Sequence, residues 1–194
     1  ERTLEMEMTT LGSEHTLIRI LSPRKEKGIS TLKRGNEMWN YLPKVKKVVR
    51  VPASMMTSSW MGSDITNDDL VRESSYEDDY TVARVEGPED EYCFAYVPNE
   101  DAPVTWSKVV ACFDRTYELP RRQEFFDEKG RKVRVMTFDQ IKKVDGRVMP
   151  TRISVLPLSK DKKGNKTVMI YKAMKFDVDV DASVFSMANL RRGR

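Results

Sequence analysis

The most constraining feature of the sequence is a period of two in its apolar residues, which persists over most of the chain. In the opening segment 2–8, Leu4, Met6 and Met8 alternate with polar residues, so one side of an extended segment is apolar. The same alternation predicts strands at 15–21, 30–34, 37–42, 45–51, 79–86, 91–97, 108–114, 121–126, 131–138, 149–156 and 166–181. Breaks such as 127–130 suit hairpins, and we predict about ten or eleven antiparallel strands.

An open, flat sheet of this size would expose two edges and one apolar face. We therefore expect a mainly β fold, a strongly curved antiparallel sheet that forms an unclosed half-barrel with short helices covering its concave face. Three segments are predicted as helices, at 52–62, 67–73 and 182–190. The first is the clearest, because Pro52 suits a helix start and Met55, Met56 and Trp60 follow at helical spacing. In the second, Asn67 is placed as the N-cap.

Length and charge limit the classes of protein that need to be considered. A chain of 194 residues with 39% hydrophobic residues can form one compact domain, which we predict to span residues 1–194. The formal net charge of +4 comes from mixed signs along the chain and is weak support for nucleic-acid binding. No segment contains the roughly 18 consecutive apolar residues of a membrane span. Because the chain starts at Glu1 without an initiator Met, we expect that a leader has been removed.

The sequence offers little for catalysis or metal binding. Cys93 and Cys112 could form one disulfide or be two small buried thiols, and the thiol interpretation is slightly favoured. The single histidine, His15, is far from both cysteines in sequence, so neither a Cys–His pair nor a zinc site is indicated. The acidic cluster around Asp64 and Asp68 lacks the alternating ligands of a calcium loop, and capping is the favoured role. We expect no enzyme activity, no catalytic residue, no cofactor and no metal.

Two apolar sets each have two interpretations. The segment with Met55, Met56, Trp60 and Met61 is favoured as an ordinary packing face, while a pliable lid over an apolar ligand is the alternative, because methionine adapts to varied surfaces. The aromatic set comprises Trp39, Tyr41, Tyr92, Phe94, Tyr96 and Trp106. Within each strand these residues lie two apart and share a face. An aromatic core with a basic rim is favoured over a platform that stacks nucleic-acid bases.

Longer motifs carry a resemblance to a known family. They are SPRKEKG, LKRGNEMWNYLPK, SWMGSDITNDDL and DY between residues 22 and 80, followed by YELPRRQEFFDEKG, GRVMPTRISV and VFSMANL. This ordered set resembles the outer-membrane lipoprotein-sorting, LolA-like family, in its divergent branch. Two differences are that Ile65 stands where the family usually has an aromatic, and that the N-terminal helix of the family is expected to be absent.

The resemblance implies an unclosed barrel with an apolar cavity, and a periplasmic carrier that binds lipoprotein acyl chains or another lipid for transport towards the outer membrane. It also implies an inner-membrane transporter and an outer-membrane acceptor as partners, transient contact with a membrane surface, and no nucleic acid. The implied lid and neighbouring strand provide the ligand-binding residues Met38, Trp39, Tyr41, Met55, Met56, Trp60 and Met61. The implied signature turn contains Gly62, Ser63, Asp64, Asn67 and Asp68.

Some alternatives stay open at this stage. The arginine that governs lid opening in the better-known carriers could correspond to Arg19, Arg34 or Arg50. The alternative function is a non-enzymatic interaction module of an envelope transporter or assembly complex, in which the same face or an exposed edge strand holds a partner protein. The sequence names neither the cargo nor the oligomeric state.

Overall fold

The computed structural model describes residues 1–72, 79–100, 102 and 104–192. In this part of the chain, twelve strands form two antiparallel sheets that are both open. The strands are β1 (Glu5–Leu11), β2 (His15–Ser22), β3 (Ser30–Arg34), β4 (Glu37–Leu42), β5 (Lys47–Arg50), β6 (Tyr80–Val85), β7 (Glu91–Pro98), β8 (Lys108–Asp114), β9 (Pro120–Phe126), β10 (Lys132–Val144), β11 (Arg147–Pro157) and β12 (Thr167–Ile170). The mainly β, antiparallel and unclosed architecture predicted from the sequence is confirmed.

Helical structure is sparse in the described residues. The α-helices are α1 (Asn67–Arg72) and α2 (Met187–Leu190), and short 3-10 turns occupy Ala53–Met55, Trp60–Gly62, Lys160–Lys162 and Ala182–Phe185. None of the described helices has the length and apolar character needed to cross a membrane.

The chain divides into two compact units. The first unit consists of residues 1–58, 67–74 and 179–194 and holds the five-stranded sheet β1 to β5. The second consists of residues 59–66 and 75–178 and holds the seven-stranded sheet β6 to β12. Within each sheet, every strand pairs with its neighbour in the sequence, as the short connections predict. A single LolA-like domain over residues 1–194 stays a prediction.

The five-stranded sheet has an apolar core on one face. Antiparallel register places Leu17, Leu32 and Trp39 side by side on β2, β3 and β4. Phe185 and Leu190, which come from the C-terminal segment of the same unit, pack against this row and are fully buried. Burying each such side chain stabilises the fold by roughly 1.5–3 kcal/mol, so the C-terminal segment holds this face closed.

The opposite face of the same sheet is also buried. Met38 alternates with Trp39 along β4 and therefore points to the other side, where it forms a small cluster with Val51. Met56 and Leu70 of α1 pack on this cluster.

In the seven-stranded sheet, β10 and β11 form the longest hairpin. Val144 pairs with Arg147, so the connection has only two residues, Asp145 and Gly146. Both have positive φ, 46° and 85°. This is the backbone that a tight type I′ turn requires, and Asp-Gly is a preferred sequence for it.

The predicted helix over residues 52–62 is wrong. The segment forms two separate 3-10 turns, and Met61 and Gly62 between Trp60 and Ser63 adopt left-handed φ angles of 51° and 73°. The Trp60 N–H donates to the carbonyl of Ile65 at 2.7 Å, and Ser59 pairs with Thr66 in an isolated β-bridge. The backbone therefore bonds across a tight loop rather than along a helix, which the spacing of the apolar residues does not reveal.

The other two helix predictions are borne out to different extents. The helix predicted at 67–73 is present as α1, with residue 73 outside the described residues. The helix predicted at 182–190 is interrupted at Ser186, whose backbone is extended. The Ser186 hydroxyl accepts a hydrogen bond from the Asn189 N–H at 3.2 Å and so caps α2.

The predicted strand 166–181 is wrong beyond residue 170. The strand Thr167–Ile170 pairs with β11, and in the described part of the chain the last backbone contact with β11 is the Tyr171 N–H, which donates to the Thr151 carbonyl at 2.9 Å. Farther on, the Phe176 N–H donates to the carboxylate of Asp145 at 2.7 Å, and Asp177 has a positive φ of 52°. At Phe176, a side-chain carboxylate therefore takes the place of the carbonyl group of a neighbouring strand.

Cys93 and Cys112 are directly opposite each other on β7 and β8 and form a disulfide. The slightly favoured interpretation as two thiols is therefore wrong. The sequence separation of 19 residues is that of two strands joined by a connection, and only their register brings the two side chains together.

Candidate functional site

The seven-stranded sheet carries an open, mostly aromatic groove on one face. Its volume is about 390 Å³, within the roughly 300–1,000 Å³ of ordinary small-molecule sites. The lining residues are Val82, Tyr92, Phe94, Tyr96, Phe113 and Glu118.

The period of two along β7 explains why these aromatics meet. Tyr92, Phe94 and Tyr96 point to one face, while Cys93 and Ala95 are buried on the other. Strand register places residues of the neighbouring strands on the same face, because Val82 lies opposite Tyr96 and Phe113 lies opposite Tyr92. Ala111 lies opposite Phe94. Its small side chain leaves room for a groove between the larger rings.

The rings that line the groove are held by edge-to-face contacts. Phe94 and Phe113 have ring centroids 6.2 Å apart at an interplanar angle of 65°. Tyr96 contacts Tyr80 in the same way, at 6.4 Å and 81°. Such geometry is favourable for aromatic pairs and fixes the positions of the rings. Burial raises the pKa of the Tyr96 hydroxyl above its ordinary value.

The apolar face continues beyond the groove across β8 and β9. Val109 and Phe125 lie opposite each other and are fully buried. The Arg134 guanidinium carbon lies 3.9 Å from the ring centroid of Phe125 and 4.5 Å from that of Trp106. Arg134 also donates a hydrogen bond to the carbonyl of Asp64 at 3.4 Å. The loop of residues 59–66 is therefore bonded to the same face of the sheet that carries the groove.

Asp64 of the predicted signature turn has a structural partner in this sheet. Its N–H donates to the Thr167 hydroxyl oxygen at 2.9 Å, and that hydroxyl lies 2.9 Å from the Asp64 carboxylate, to which it donates in return. Ser63 completes the turn, because its hydroxyl donates to the Trp60 carbonyl at 2.7 Å and accepts from the Ile65 N–H at 3.2 Å. Gly62 supplies the positive φ of the turn.

Asn67 and Asp68, the other two residues of the predicted turn, act in the first unit. The Asn67 side-chain amide donates to the Met55 carbonyl at 2.9 Å, and the Asp68 N–H donates to the Met56 carbonyl at 2.8 Å. Both residues are buried. They hold the backbone of the methionine pair against the start of α1.

The structure does not gather the seven predicted ligand-binding residues in one cluster. Met38 and Met56 pack together on one face of the five-stranded sheet. Trp39 and Tyr41 pack on its other face, around the core that Phe185 and Leu190 complete. Met55 is exposed, whereas Trp60 is buried, and Trp60 and Met61 belong to the second unit.

Of the seven predicted ligand-binding residues, Met56 borders a second groove, also of about 390 Å³, in the first unit. The groove is lined by Asn36, Glu37, Arg50, Val51, Pro52, Ala53 and Met56. Arg50 and Glu37 form an ion pair there. A charged pair and an amide make this lining poorly suited to a purely apolar guest.

The three candidate arginines have different surroundings. Arg19 donates to the Asn189 carbonyl at 2.9 Å, and the Arg34 guanidinium lies 5.0 Å from the ring centroid of Trp39. Arg50 is paired with Glu37. Nothing in these contacts marks one of the three as a lid arginine.

Within the described residues, one group of side chains meets the geometric requirement for a metal site, namely Glu91, Cys93 and Cys112. The two sulfur atoms are bonded to each other. A disulfide has no thiolate to offer to a metal ion, so this group carries no metal proposal.

The sequence indicated part of the groove and missed the rest. The alternation at residues 92–96 identifies three aromatics on one face, but Val82 and Phe113 join them only through strand register. Phe113 has the same parity along β8 as Val109 and Ala111, which places the three on one face, but no local signal tells that this face is the one that carries the β7 aromatics.

Two open antiparallel sheets with few short helices and an aromatic groove on one face define a class of fold rather than a reaction. The fold is LolA-like, as the resemblance drawn from the sequence implied. Three solved structures share it. A domain from Vibrio parahaemolyticus described as an outer membrane lipoprotein-sorting protein domain has a TM-score of 0.83 at 20% identity, covering 97% of this chain and 83% of that chain.

A LolA superfamily protein from Nitrosomonas europaea has a TM-score of 0.78 at 23% identity, with 96% of this chain and 82% of that chain covered. A DUF1329 family protein from Desulfovibrio piger has a TM-score of 0.83 at 25% identity, with the same coverage of 96% and 82%. A family model matches residues 12–192, and the chain belongs to that family, whose description reads "-like: Uncharacterized protein". No curated protein matches the sequence.

Proposed function

We propose that this protein is a non-enzymatic carrier that binds a lipoprotein acyl chain or another lipid in the aromatic groove of its seven-stranded sheet. The observation that supports this most is the groove itself, in which five of the six lining residues are apolar or aromatic. A transport role needs reversible binding and no covalent chemistry.

The dimensions of the groove suit an extended hydrocarbon chain. Tyr92 and Tyr96 are four residues apart on β7, which corresponds to about 13 Å along a strand. Each methylene group that leaves water contributes about 0.8 kcal/mol. The groove is open along one side, so a chain can enter and leave without unfolding of the sheet.

The predicted lid is retained as part of this proposal. Trp60 and Met61 lie in the loop of residues 59–66, which Arg134 and Thr167 bind to the grooved face through Asp64. Met38, Trp39, Tyr41, Met55 and Met56 belong to the first unit, and their part in cargo binding stays a prediction from the resemblance. Methionine side chains rearrange at small cost, which suits a cover that adapts to cargo.

The proposed location is the periplasm of a Gram-negative envelope. The Cys93–Cys112 disulfide supports an oxidising compartment. A similar fold in a lipoprotein-sorting domain supports the same assignment. The proposed partners are an inner-membrane transporter that donates the cargo and an outer-membrane acceptor that receives it, with transient contact with a membrane surface.

A pair of matched valines tests the groove. Val82 is 46% exposed on the grooved face, and Val97 is 48% exposed on the opposite face of the same sheet, where it pairs with Thr81. We expect Val82→Gln to weaken binding of a fluorescent fatty acid to the delipidated protein severalfold, and Val97→Gln to leave it unchanged. Both side chains are exposed, so neither change should lower the free energy of unfolding by more than about 0.5 kcal/mol.

If the delipidated wild-type protein binds no fatty acid, and native mass spectrometry of the freshly purified protein shows no bound lipid, the carrier function is wrong. If Val82→Gln and Val97→Gln weaken fatty-acid binding equally, the fatty acid binds outside the groove.

One observation favours the second candidate function, an interaction module. Leu156, Val168 and Ile170 are 42%, 39% and 60% exposed and share the face of β11 and β12 opposite the groove. β12 is also an edge strand, which can pair with a strand of another protein. A photo-crosslinking residue at position 170 that captures one envelope protein, together with absence of lipid binding, would support this function over the carrier.

A further inference from the structure

We propose that the aromatic groove selects acyl chains that end in an anionic head, and that Arg84 and Arg115 bind this head. The inference rests on the carrier function proposed above and specifies the class of cargo: a carboxylate or a phosphate at the end of a hydrocarbon chain. Neither arginine belongs to the set predicted from the sequence.

The geometry places two guanidinium groups at the Tyr92 end of the groove. The Arg84 guanidinium carbon lies 5.3 Å from the Tyr92 ring centroid, and that of Arg115 lies 4.6 Å from the same centroid. Arg84 pairs with Phe94 in the β6–β7 register and therefore lies on the grooved face. Arg115 follows directly after β8, so the two arginines approach Tyr92 from opposite sides of β7.

Packing against Tyr92 positions the guanidinium groups of Arg84 and Arg115 to bind an anion. A guanidinium that stacks on an aromatic ring keeps its in-plane N–H groups available for a bidentate contact with carboxylate or phosphate oxygens. The Arg115 Nε–H donates to the Glu91 carbonyl at 3.2 Å, which fixes that side chain while its terminal N–H groups stay at the ring. Both arginines are exposed, so an incoming head group can reach them.

The local charge balance favours a negative ligand. Glu118 is the one carboxylate among the residues that line the groove, against the two guanidinium groups. The nearby Asp114 carboxylate already accepts hydrogen bonds from the N–H groups of Thr116, Tyr117 and Leu119. Asp90 pairs with Arg121. Asp114 keeps its negative charge, but it is buried and lies opposite Glu91 in the β7–β8 register, away from the face that carries the rings. Two exposed guanidinium groups and one exposed carboxylate therefore remain at this end of the groove.

The opposite end of the groove is lined by aliphatic and aromatic side chains. Val82 lies opposite Tyr96 there, and Tyr80 packs edge-to-face on Tyr96. A groove with hydrocarbon at one end and two guanidinium groups at the other matches an amphiphile with its head at Tyr92. A neutral head at the same place would leave the guanidinium donors without a charged acceptor.

The test compares three probes of equal chain length, namely decanoate, decyl phosphate and decanol, by isothermal titration calorimetry with the delipidated protein. The variants are Arg84→Gln, Arg115→Gln and the double variant. Arg121→Gln is the matched control, because Arg121 is exposed and lies in the same part of the sheet but pairs with Asp90. Decanoate and decyl phosphate separate a fatty acid from a phosphate-bearing lipid as the source of the anion.

We expect the wild-type protein to bind at least one anion at least about tenfold more tightly than decanol. Each single variant should lose about two- to fivefold in affinity for that anion, as exposed ion pairs do. The double variant should bind the anion and decanol equally, while Arg121→Gln behaves as wild type. Added salt should reduce the preference for the anion.

The outcomes separate this inference from the carrier function. Equal affinity of the wild-type protein for decanol and both anions, unchanged in the double variant, would overturn the anionic selection and leave the carrier function standing. Absence of binding by all three probes would overturn both. If the double variant loses as much affinity for decanol as for the anions, the arginines support the structure of the groove and do not bind the head group.

Discussion

Asp64 and Thr167 are 103 residues apart in the sequence and form two hydrogen bonds with each other. The backbone N–H of Asp64 donates to the Thr167 hydroxyl, which in turn donates to the Asp64 carboxylate, at 2.9 Å in each case. Lys162 lies 4.0 Å from the same carboxylate. The acidic residue that the sequence placed in a signature turn thus attaches the loop of residues 59–66 to the edge strand β12.

The Asp64–Thr167 pair should behave as one energetic unit. We expect Thr167→Val and Asp64→Ala each to lower the free energy of unfolding by about 1–2 kcal/mol, because each leaves a partner without its hydrogen bond. The double variant should lose much less than the sum of the two. Urea denaturation of the four proteins measures this coupling. Thr137→Val, at an exposed position of β10, is the control, and additive losses would contradict the interpretation.

A second prediction concerns the pH dependence of stability at Asp114. Hydrogen bonds from the backbone N–H of Tyr117, then those of Leu119 and Thr116, hold the pKa of the Asp114 carboxyl below its ordinary value, while its burial opposes them. The folded state therefore favours the charged form. The resulting stability is present above the ordinary pKa of about 3.9 and is lost as the pH falls through the lower, folded-state pKa.

Asp114→Asn should lower the free energy of unfolding by about 1–3 kcal/mol at neutral pH, because an amide accepts the turn hydrogen bonds less strongly than a carboxylate. The difference in free energy of unfolding between the variant and the wild type should become smaller below about pH 4. Thermal denaturation across this range provides the measurement, with Asp90→Asn as an exposed control. If this difference in free energy of unfolding does not change with pH, the charge of Asp114 does not contribute to stability.

A third prediction concerns the disulfide between β7 and β8. Cys93 and Cys112 are separated by 19 residues, and closing a loop of this size restricts the unfolded chain by about 3 kcal/mol. We expect the Cys93→Ala/Cys112→Ala variant to lose stability of this order, and a reducing agent to lower the melting temperature of the wild type but not of the variant. A thiol titration of the unfolded, unreduced protein should find no free thiol. Two free thiols would remove the support that the disulfide gives to a periplasmic location.

The strands were predictable because their apolar period is local. The structure has Ser30–Arg34, Glu37–Leu42 and Lys108–Asp114 with the predicted bounds, and in each of them local sequence and packing agree. The segment 52–62 was not predictable in this way. Helical spacing of its methionines and Trp60 ignores the left-handed backbone at Met61 and the cross-loop hydrogen bond to Ile65, and both depend on contacts outside the segment.

The candidate site was only partly visible in the sequence for the same reason. The shared face of Tyr92, Phe94 and Tyr96 follows from alternation alone. Phe113 and Val82 join that face through register between strands, and Arg115 reaches Tyr92 from a turn. Register and turn geometry are properties of pairs of segments that no single segment encodes.

The last prediction separates a lid from a core among the methionines. Met38 is completely buried, whereas Met55 is 51% exposed. Met38→Ala should therefore cost about 2–5 kcal/mol of unfolding free energy, and Met55→Ala no more than about 0.5 kcal/mol.

If the segment of residues 55–61 covers cargo, Met55→Ala and Met61→Ala should weaken fatty-acid binding at nearly unchanged stability. Met38→Ala should change the free energy of unfolding more than the affinity for fatty acid. Calorimetric titration and urea denaturation of the same variants give both quantities. Unchanged affinity in Met55→Ala, Met61→Ala and their double variant would leave these methionines with a packing role alone, and the aromatic groove would then bind cargo without them.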